Sequence, residues 1–264
     1  MPIKAAELCF AGKKRCMFSL EIESDKLKEA LEAAEVLVDE CKLNFTPEGF
    51  TIRAVDPANV AMVTLELQRE AFINYEADEG EIGIDLKKLL DLLTMSRKDD
   101  IVNLRLDETG HKLLIQIGGL SYTTSLLDPS TVRKEPKIPK LELPSQIILP
   151  GSVLVRAIKA ADKVDSYLWM KVDNNSSAFI LEAEGDMDHV QLTLSRDELI
   201  VLQSETDARS LFNIEYLLDI GKTLGKANEV RINLANDHPV KIQFSIADGC
   251  GEVSYLIAPR VESD

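Results

Sequence analysis

LDPSTVRKEPKIPKLELPSQIILP, residues 127–150, sits at the middle of the chain and holds five of its ten prolines: Pro129, Pro136, Pro139, Pro144 and Pro150. Proline lacks a backbone N–H and pushes the preceding residue toward extended conformations, so this segment is neither a helix nor an inner strand. It reads as an extended, semi-rigid connector. The sequences on its two sides match. IDLKKLLDLL (84–93) aligns with FNIEYLLDIG (212–221) at an offset of 128, placing Asp85 on Asn213 and Leu89-Leu90-Asp91 on Leu217-Leu218-Asp219. VNLRL (102–106) and VRINL (230–234) keep that offset, and Leu27 and Leu31 fall on Leu154 and Ile158 at 127. Chance similarity between amphipathic helices explains one such match but not three in register. A sustained offset near half the chain length marks a duplicated domain.

Outward from this centre, each side reads as two helices among many short strands. In the first half, Phe18 to Ile22 alternates as a strand, and Ser24-Asp25 is placed to cap a helix striped by Leu27, Leu31, Ala34 and Val38. LNFTPEGFTIRAVD predicts a hairpin turning at Pro47-Glu48-Gly49, and VAMVTLEL a strand. A helix is expected over 84–94, with strands at 102–106 and 112–117 and in LSYTTSLL. The second half repeats the course, with helices expected over 153–165 and 214–222. This is an α+β chain in which one side of mostly antiparallel sheets carries the helices. Residues 1–16 precede the pattern, which starts at Met17, and are expected to be a dispensable extension or a mis-called start.

Composition limits the chemistry. No apolar run approaches the roughly 20 residues of a spanning helix. Cys9, Cys16, Cys41 and Cys250 form no CxxC pair, which suits a reducing cytoplasm and argues against zinc or a disulfide framework. His111, His189 and His238 lie far apart with no second ligand at metal spacing, so they read as surface residues. Gly221-Lys222-Thr223 resembles the end of a phosphate loop, but Tyr216 stands where that loop needs glycine. No nucleophile, base or metal set points to an enzyme, and no cofactor is implied.

The net charge of −15, from 45 acidic and 30 basic residues, should repel nucleic acid on average. Any such role must rest on local segregation of cations. Arg156, Lys159 and Lys163 are spaced to share a helix face, Lys222 and Lys226 repeat the spacing, and Lys87-Lys88 and Arg97-Lys98 flank another helix. A solvated face is the ordinary explanation of such stripes. The first helix has Lys26 and Lys28 outnumbered by Glu29, Glu32, Glu35, Asp39 and Glu40.

AVDPANVAMVTLEL (54–67), the connector LLDPSTVRKEPKIP and the ending VSYLIAPRVE (253–262) resemble the archaeal sliding clamps, homologues of eukaryotic proliferating cell nuclear antigen, over all but the first 16 residues. The resemblance implies a DNA-clamp fold with two duplicated domains, 17–127 and 146–264, joined by a connector at 128–145. Three chains would close head to tail into a ring, with helices lining the channel and sheets outside. A homotrimer of this kind, or a heteromeric ring with this chain as one subunit, would encircle duplex DNA without sequence preference and stay off membranes. Lys28, Lys87, Lys88, Arg156, Lys159, Lys163, Lys222 and Lys226 would face the duplex. The first helix departs from the human family member in carrying Glu29 and Glu35 where that clamp has further lysines. DNA polymerase, the clamp loader, the flap endonuclease and DNA ligase would dock through a short peptide motif. Their pocket would comprise Val55, Asn59, Val60 and Met62, Ile138 and Pro139 of the connector, and Pro239, Ala258 and Pro259. The subunit interface would pair one edge containing Tyr122 and Thr124 with another containing His189, Val190 and Leu192.

Overall fold

The structure, a computed structural model, describes residues 18–107, 111–137 and 140–260. The same run of elements occurs twice. The first is β1 (Phe18–Glu23), α1 (Ser24–Glu35), β2 (Glu40–Thr46), β3 (Gly49–Val55), β4 (Ala61–Gln68), β5 (Asn74–Ala77), β6 (Gly80–Asp85), α2 (Leu86–Leu93), β7 (Ile101–Leu106), β8 (Lys112–Ile117) and β9 (Leu120–Ser125). The second is β10 (Ser145–Leu149), α3 (Gly151–Ala161), β11 (Tyr167–Asp173), β12 (Ala178–Glu184), β13 (His189–Ser195), β14 (Val201–Gln203), β15 (Ala208–Asn213), α4 (Ile214–Leu224), β16 (Val230–Leu234), β17 (Val240–Ile246) and β18 (Gly251–Ile257). Even the single-turn 3₁₀ helices after β4 and β13 correspond, at Arg69–Ala71 and Arg196–Glu198. The two runs match strand for strand and α-helix for α-helix, and the second adds a 3₁₀ turn at Ala247–Gly249.

All four helices bury residues at the i, i+3, i+4, i+7 spacing of one apolar stripe. The stripes are Leu27, Ala30, Leu31 and Ala34; Leu86, Leu89, Leu90 and Leu93; Leu154, Ala157, Ile158 and Ala161; and Leu217, Ile220, Gly221 and Leu224. The aligned Asp85 and Asn213 prove to be the N-caps of α2 and α4. Asp85 Oδ1 accepts from the Lys88 N–H at 2.9 Å, and Asn213 Oδ1 from the Glu215 N–H at 2.8 Å. The predicted cap at Ser24-Asp25 is not made. Glu23 occupies the N-cap without a side-chain bond, and Ser24 is the buried first residue of α1, its hydroxyl bonded to that of Ser96. In the same position of α3, Gly151 follows Pro150 and lies against the end of α4, where an added Cβ would come within 2.0 Å of the Leu224 carbonyl oxygen.

Several predicted boundaries move. Ile84 and Asp85 belong to β6, so α2 starts at Leu86. The helix α3 starts at Gly151 and stops at Ala161, which leaves Lys163 in the following turn. The helix α4 continues to Leu224, capped by Gly225, and Lys226 lies beyond it. Val38 also falls outside its helix. The short strands β5, β6, β14 and β15 are additions: β5 and β14 are too short to show a period, and β6 and β15 do not alternate.

The strands form three antiparallel sheets: β5-β1-β7-β8-β9, β13-β12-β11-β15, and a nine-stranded sheet β14-β10-β16-β17-β18-β4-β3-β2-β6. The large sheet combines strands of both runs, joined by the β18–β4 pairing from Gly251↔Leu67 to Ile257↔Ala61. Helices pack on this framework in pairs, α1 with α2 and α3 with α4. Tyr255 of β18 is fully buried and donates its hydroxyl to the Ala33 carbonyl of α1 at 2.7 Å, which ties the second run to the first. No helix among the described residues is long and apolar enough to cross a membrane.

Candidate functional site

Two surfaces collect the residues singled out in the sequence. The first is the helical side. Burial of one apolar stripe on each helix turns the remaining polar positions outward. Lys87, Lys88, Arg156, Lys159, Lys163, Lys222 and Lys226 are exposed, and Lys28 is half-buried. Lys28 of α1 and Lys222 and Lys226 at the end of α4 line one open groove of about 600 Å³, together with Lys26, Arg97 and Lys98. A smaller hollow between α3 and α4 brings Lys159 beside Lys222. Cations distant in sequence thus meet, although Asp25, Glu29, Glu32 and Asp248 line the same groove and Lys87, Lys88, Arg156 and Lys163 line neither hollow. Lys26, Arg97 and Lys98 were visible as basic residues, but only the fold places them in the groove.

Many of these cations already hold carboxylates. Lys28 lies 3.8 Å from Glu32, Lys87 2.7 Å from Asp39, Lys163 2.8 Å from Asp162 and Lys222 2.7 Å from Asp219. Hydrogen bonding and attraction from Asp39 and Asp219 raise the pKa values of Lys87 and Lys222, so both remain charged. Among the described residues, Lys88, Arg156, Lys159 and Lys226 have no carboxylate within 4.0 Å. These unpaired cations fall on α3, at the end of α4 and on α2, and Arg97 and Lys98 just after α2 likewise lack an ion pair among the described residues.

The second surface lies where the two runs join. Val55 pairs with Met62 across β3–β4, and Met62 with Leu256 across β4–β18, giving an apolar row on one side of the sheet. The Ala258 N–H donates to the Val60 carbonyl at 2.8 Å. Pro239 precedes Val240, the partner of Ile257, and so sits beside Ala258 and Pro259. Leu256 is a lining residue that the sequence reading missed. Alternation in EVSYLIAP shows it, as an apolar side chain sharing the outward positions of Glu252 and Ser254.

The loop between β3 and β4 is organised by Asp56, which is 4% exposed. Its carboxylate accepts the N–H groups of Ala58, Val60 and Ala61 at 2.7–2.8 Å and the hydroxyl of Tyr216 on α4 at 2.9 Å. Burial opposes ionisation of Asp56, but these donors outweigh it and hold the carboxyl below its ordinary pKa. Burial, with the bond to Asp56, pushes the Tyr216 hydroxyl up to about 12. Asn59 adopts φ 60°, a turn conformation that asparagine tolerates. The connector braces this loop. Arg133 donates to the Asp56 carbonyl at 2.8 Å and to Asn59 Oδ1 at 2.6 Å, while Asn44 donates to Glu135. Leu127 bridges Gly83, where a Cβ would clash at 2.7 Å with the Leu127 carbonyl oxygen. The expected Ile138 and Pro139 lie outside the described residues.

The edge strands β9 and β13 carry the remaining candidates. Tyr122, Thr124, His189, Val190 and Leu192 are all exposed or half-exposed, and Leu120 is 57% exposed. His189 Nε2 lies 3.0 Å from Glu182.

The family description "Proliferating cell nuclear antigen, N-terminal domain" matches residues 17–119, and "Proliferating cell nuclear antigen, C-terminal domain" matches residues 137–260. The chain belongs to the proliferating cell nuclear antigen family. The "DNA polymerase sliding clamp" of Methanococcoides burtonii is 51% identical over 248 residues, which cover 94% of this chain and all of that relative. The clamp of Natronomonas pharaonis is 46% identical over the same shares. Among solved structures, "C-terminal region of FEN-1 bound to A. fulgidus PCNA" superposes with a TM-score of 0.89 at 34% identity, covering 94% of this chain and 100% of that one. The architecture above is therefore the clamp fold of this family.

Proposed function

We propose that this chain is a non-catalytic, cytoplasmic sliding clamp that closes as a homotrimer around duplex DNA and tethers the replicative polymerase. The observation that carries the ring is the pair of free edges. The strand β9 pairs with β8 as β18 does with β17, and β13 pairs with β12 as β4 does with β3. Inside the chain β18 and β4 join; their counterparts β9 and β13 are both sheet edges. Pairing β9 of one chain with β13 of the next would repeat the internal junction between chains. It would also cover two edges otherwise open to aggregation. The helical cations would line the channel and meet phosphates rather than base edges, so binding would ignore sequence. The apolar row at the internal junction, with Asn59, Val60, Pro239, Ala258 and Pro259 around it, would receive the peptide motifs of polymerase, clamp loader, flap endonuclease and ligase. The solved relative from A. fulgidus is a complex with the C-terminal region of FEN-1.

Light scattering across a dilution series tests the ring. One chain is 29.3 kDa, and the proposed homotrimer is expected to have about three times that mass, held by three equal heterologous junctions. A monomer persisting at high concentration would overturn the homotrimer and make this chain one subunit of a mixed ring. A trimer that fails to remain on closed circular DNA would overturn the channel.

A further inference from the structure

The outer face of the β13-β12-β11-β15 sheet carries a cluster that neither the channel nor the pocket uses. Along β11, Leu168, Met170 and Val172 are buried, so Tyr167, Trp169 and Lys171 face outward. The solvent side of an antiparallel sheet is ordinarily polar, and two large aromatics at successive outward positions depart from that pattern. Both rings are covered by cations. The Arg260 guanidinium lies 4.6 Å from the Tyr167 centroid, and Arg209 lies 5.2 Å and Lys171 5.6 Å from that of Trp169. Lys171 is committed to Glu182, which also holds His189. Arg209 and Arg260 have no carboxylate within 4.0 Å among the described residues. In a chain of net charge −15, two neighbouring arginines without acidic partners require a reason.

Their position supplies one. The segment from Ala258 to Arg260 leads from the pocket onto β15, with its Arg260 N–H bonded to the Leu211 carbonyl at 2.8 Å. Two extended residues span roughly 7 Å. Arg209 is joined to the loop that carries Pro239: its N–H donates to Asn236 Oδ1 at 2.8 Å, and its carbonyl accepts from Asp237 at 3.0 Å. We infer that this strip binds acidic residues of the partner segment flanking the pocket-bound peptide. The inference rests on the pocket reading above. A cation held over a ring keeps a fixed place, and although Arg260 Nη1 also donates to the Tyr167 hydroxyl, the remaining N–H groups of each guanidinium can still meet a carboxylate. Because the arginines are already ordered, less side-chain entropy is lost when the acidic segment arrives.

Trp169 is the chain's only tryptophan, so its emission reports on the strip directly. The full chain is titrated with a peptide of the FEN-1 C-terminal region in bare form, extended by Ser-Gly, and extended by Asp-Glu, each extension placed at either end in turn. One acidic extension is expected to bind about three- to tenfold tighter than its Ser-Gly counterpart at low salt. That peptide should also shift indole emission, and high salt should erase its advantage. Arg209→Ala with Arg260→Ala should bring the ratio of the two affinities to about one. Acidic and Ser-Gly extensions of equal affinity at both ends would overturn the inference, as would a gain that survives in the double variant. If the acidic peptides gain nothing while deletion of residues 261–264 shifts emission, the occupant is the chain's own Glu262 and Asp264, and the inference falls. Failure of the bare peptide to bind would overturn the pocket reading itself, an outcome distinct from the others.

Discussion

At the scale of single residues, Asp56 organises more of the junction than any other side chain, because one carboxylate satisfies three amides and a hydroxyl from the other half of the chain. Asp56→Asn keeps the shape but removes the charge that strengthens those bonds, and Tyr216→Phe removes one donor. Urea unfolding at neutral pH should show a loss of about 1–3 kcal/mol for the former and about 1 kcal/mol for the latter. The pH dependence has a definite sign. Since the folded-state pKa of Asp56 is depressed, its contribution is complete above the unfolded value near 4 and is lost as pH falls through the lower folded value. The stability difference between wild type and Asp56→Asn should therefore shrink on acidification below about pH 4. An undiminished difference at low pH would show that the charge is not what matters. DPANV was visible in the sequence as a motif, but its mechanism was not, because Tyr216 is 160 residues away.

At the scale of elements, sequence legibility followed periodicity. The aligned helices and most strands could be read because burial imposes a period of 3.6 or 2 on them. The ends of α3 and α4 could not: apolar spacing runs past Ala161 to Val164, so α3 reads too long, while the glycines at 221 and 225 make α4 read too short. The end of α3 at Ala161 separates the cations expected in the proposed channel. Arg156 and Lys159 are exposed on α3 itself, whereas Lys163 sits in the next turn against Asp162. Arg156→Glu with Lys159→Glu should strongly shorten retention on circular DNA, with the trimer mass unchanged. Each lost phosphate contact should lower the slope of log affinity against log salt by about one. Lys163→Glu should do less, because its cation is already partly neutralised. Equal effects at all three sites would mean that the intrachain ion pairs are irrelevant to the channel. The connector yielded to sequence for a different reason: its prolines exclude regular structure outright.

At the scale of the whole molecule, the internal duplication explains why the apolar row would occur once per chain although the ring would contain two kinds of junction. Aligning Val240↔Ile257 with Lys112↔Ser125, and Phe50↔Leu67 with Phe179↔Leu194, puts Thr124 in the place of Leu256 and His189 in that of Met62. The same alignment sets Glu184 opposite His189 where Val55 stands opposite Met62. The apolar row of the internal junction thus becomes polar at the proposed junction between chains, which would leave no second pocket there. A charged substitution separates the two junctions. Met62→Asp should abolish stimulation of polymerase and ligase while the particle mass stays unchanged. Tyr122→Ala should instead raise the concentration below which trimers dissociate, without changing peptide affinity per chain. The register can be read directly. With the accessible native cysteines replaced by serine, Thr124→Cys with His189→Cys should give covalent dimers and trimers with a short thiol cross-linker, because directly opposed residues have Cβ atoms about 4.5–5.5 Å apart. A mismatched pair, such as Leu120→Cys with His189→Cys, should stay largely monomeric on the same denaturing gel. Efficient cross-linking of the mismatched pair alone would mean that the chains meet in a register the internal junction does not predict.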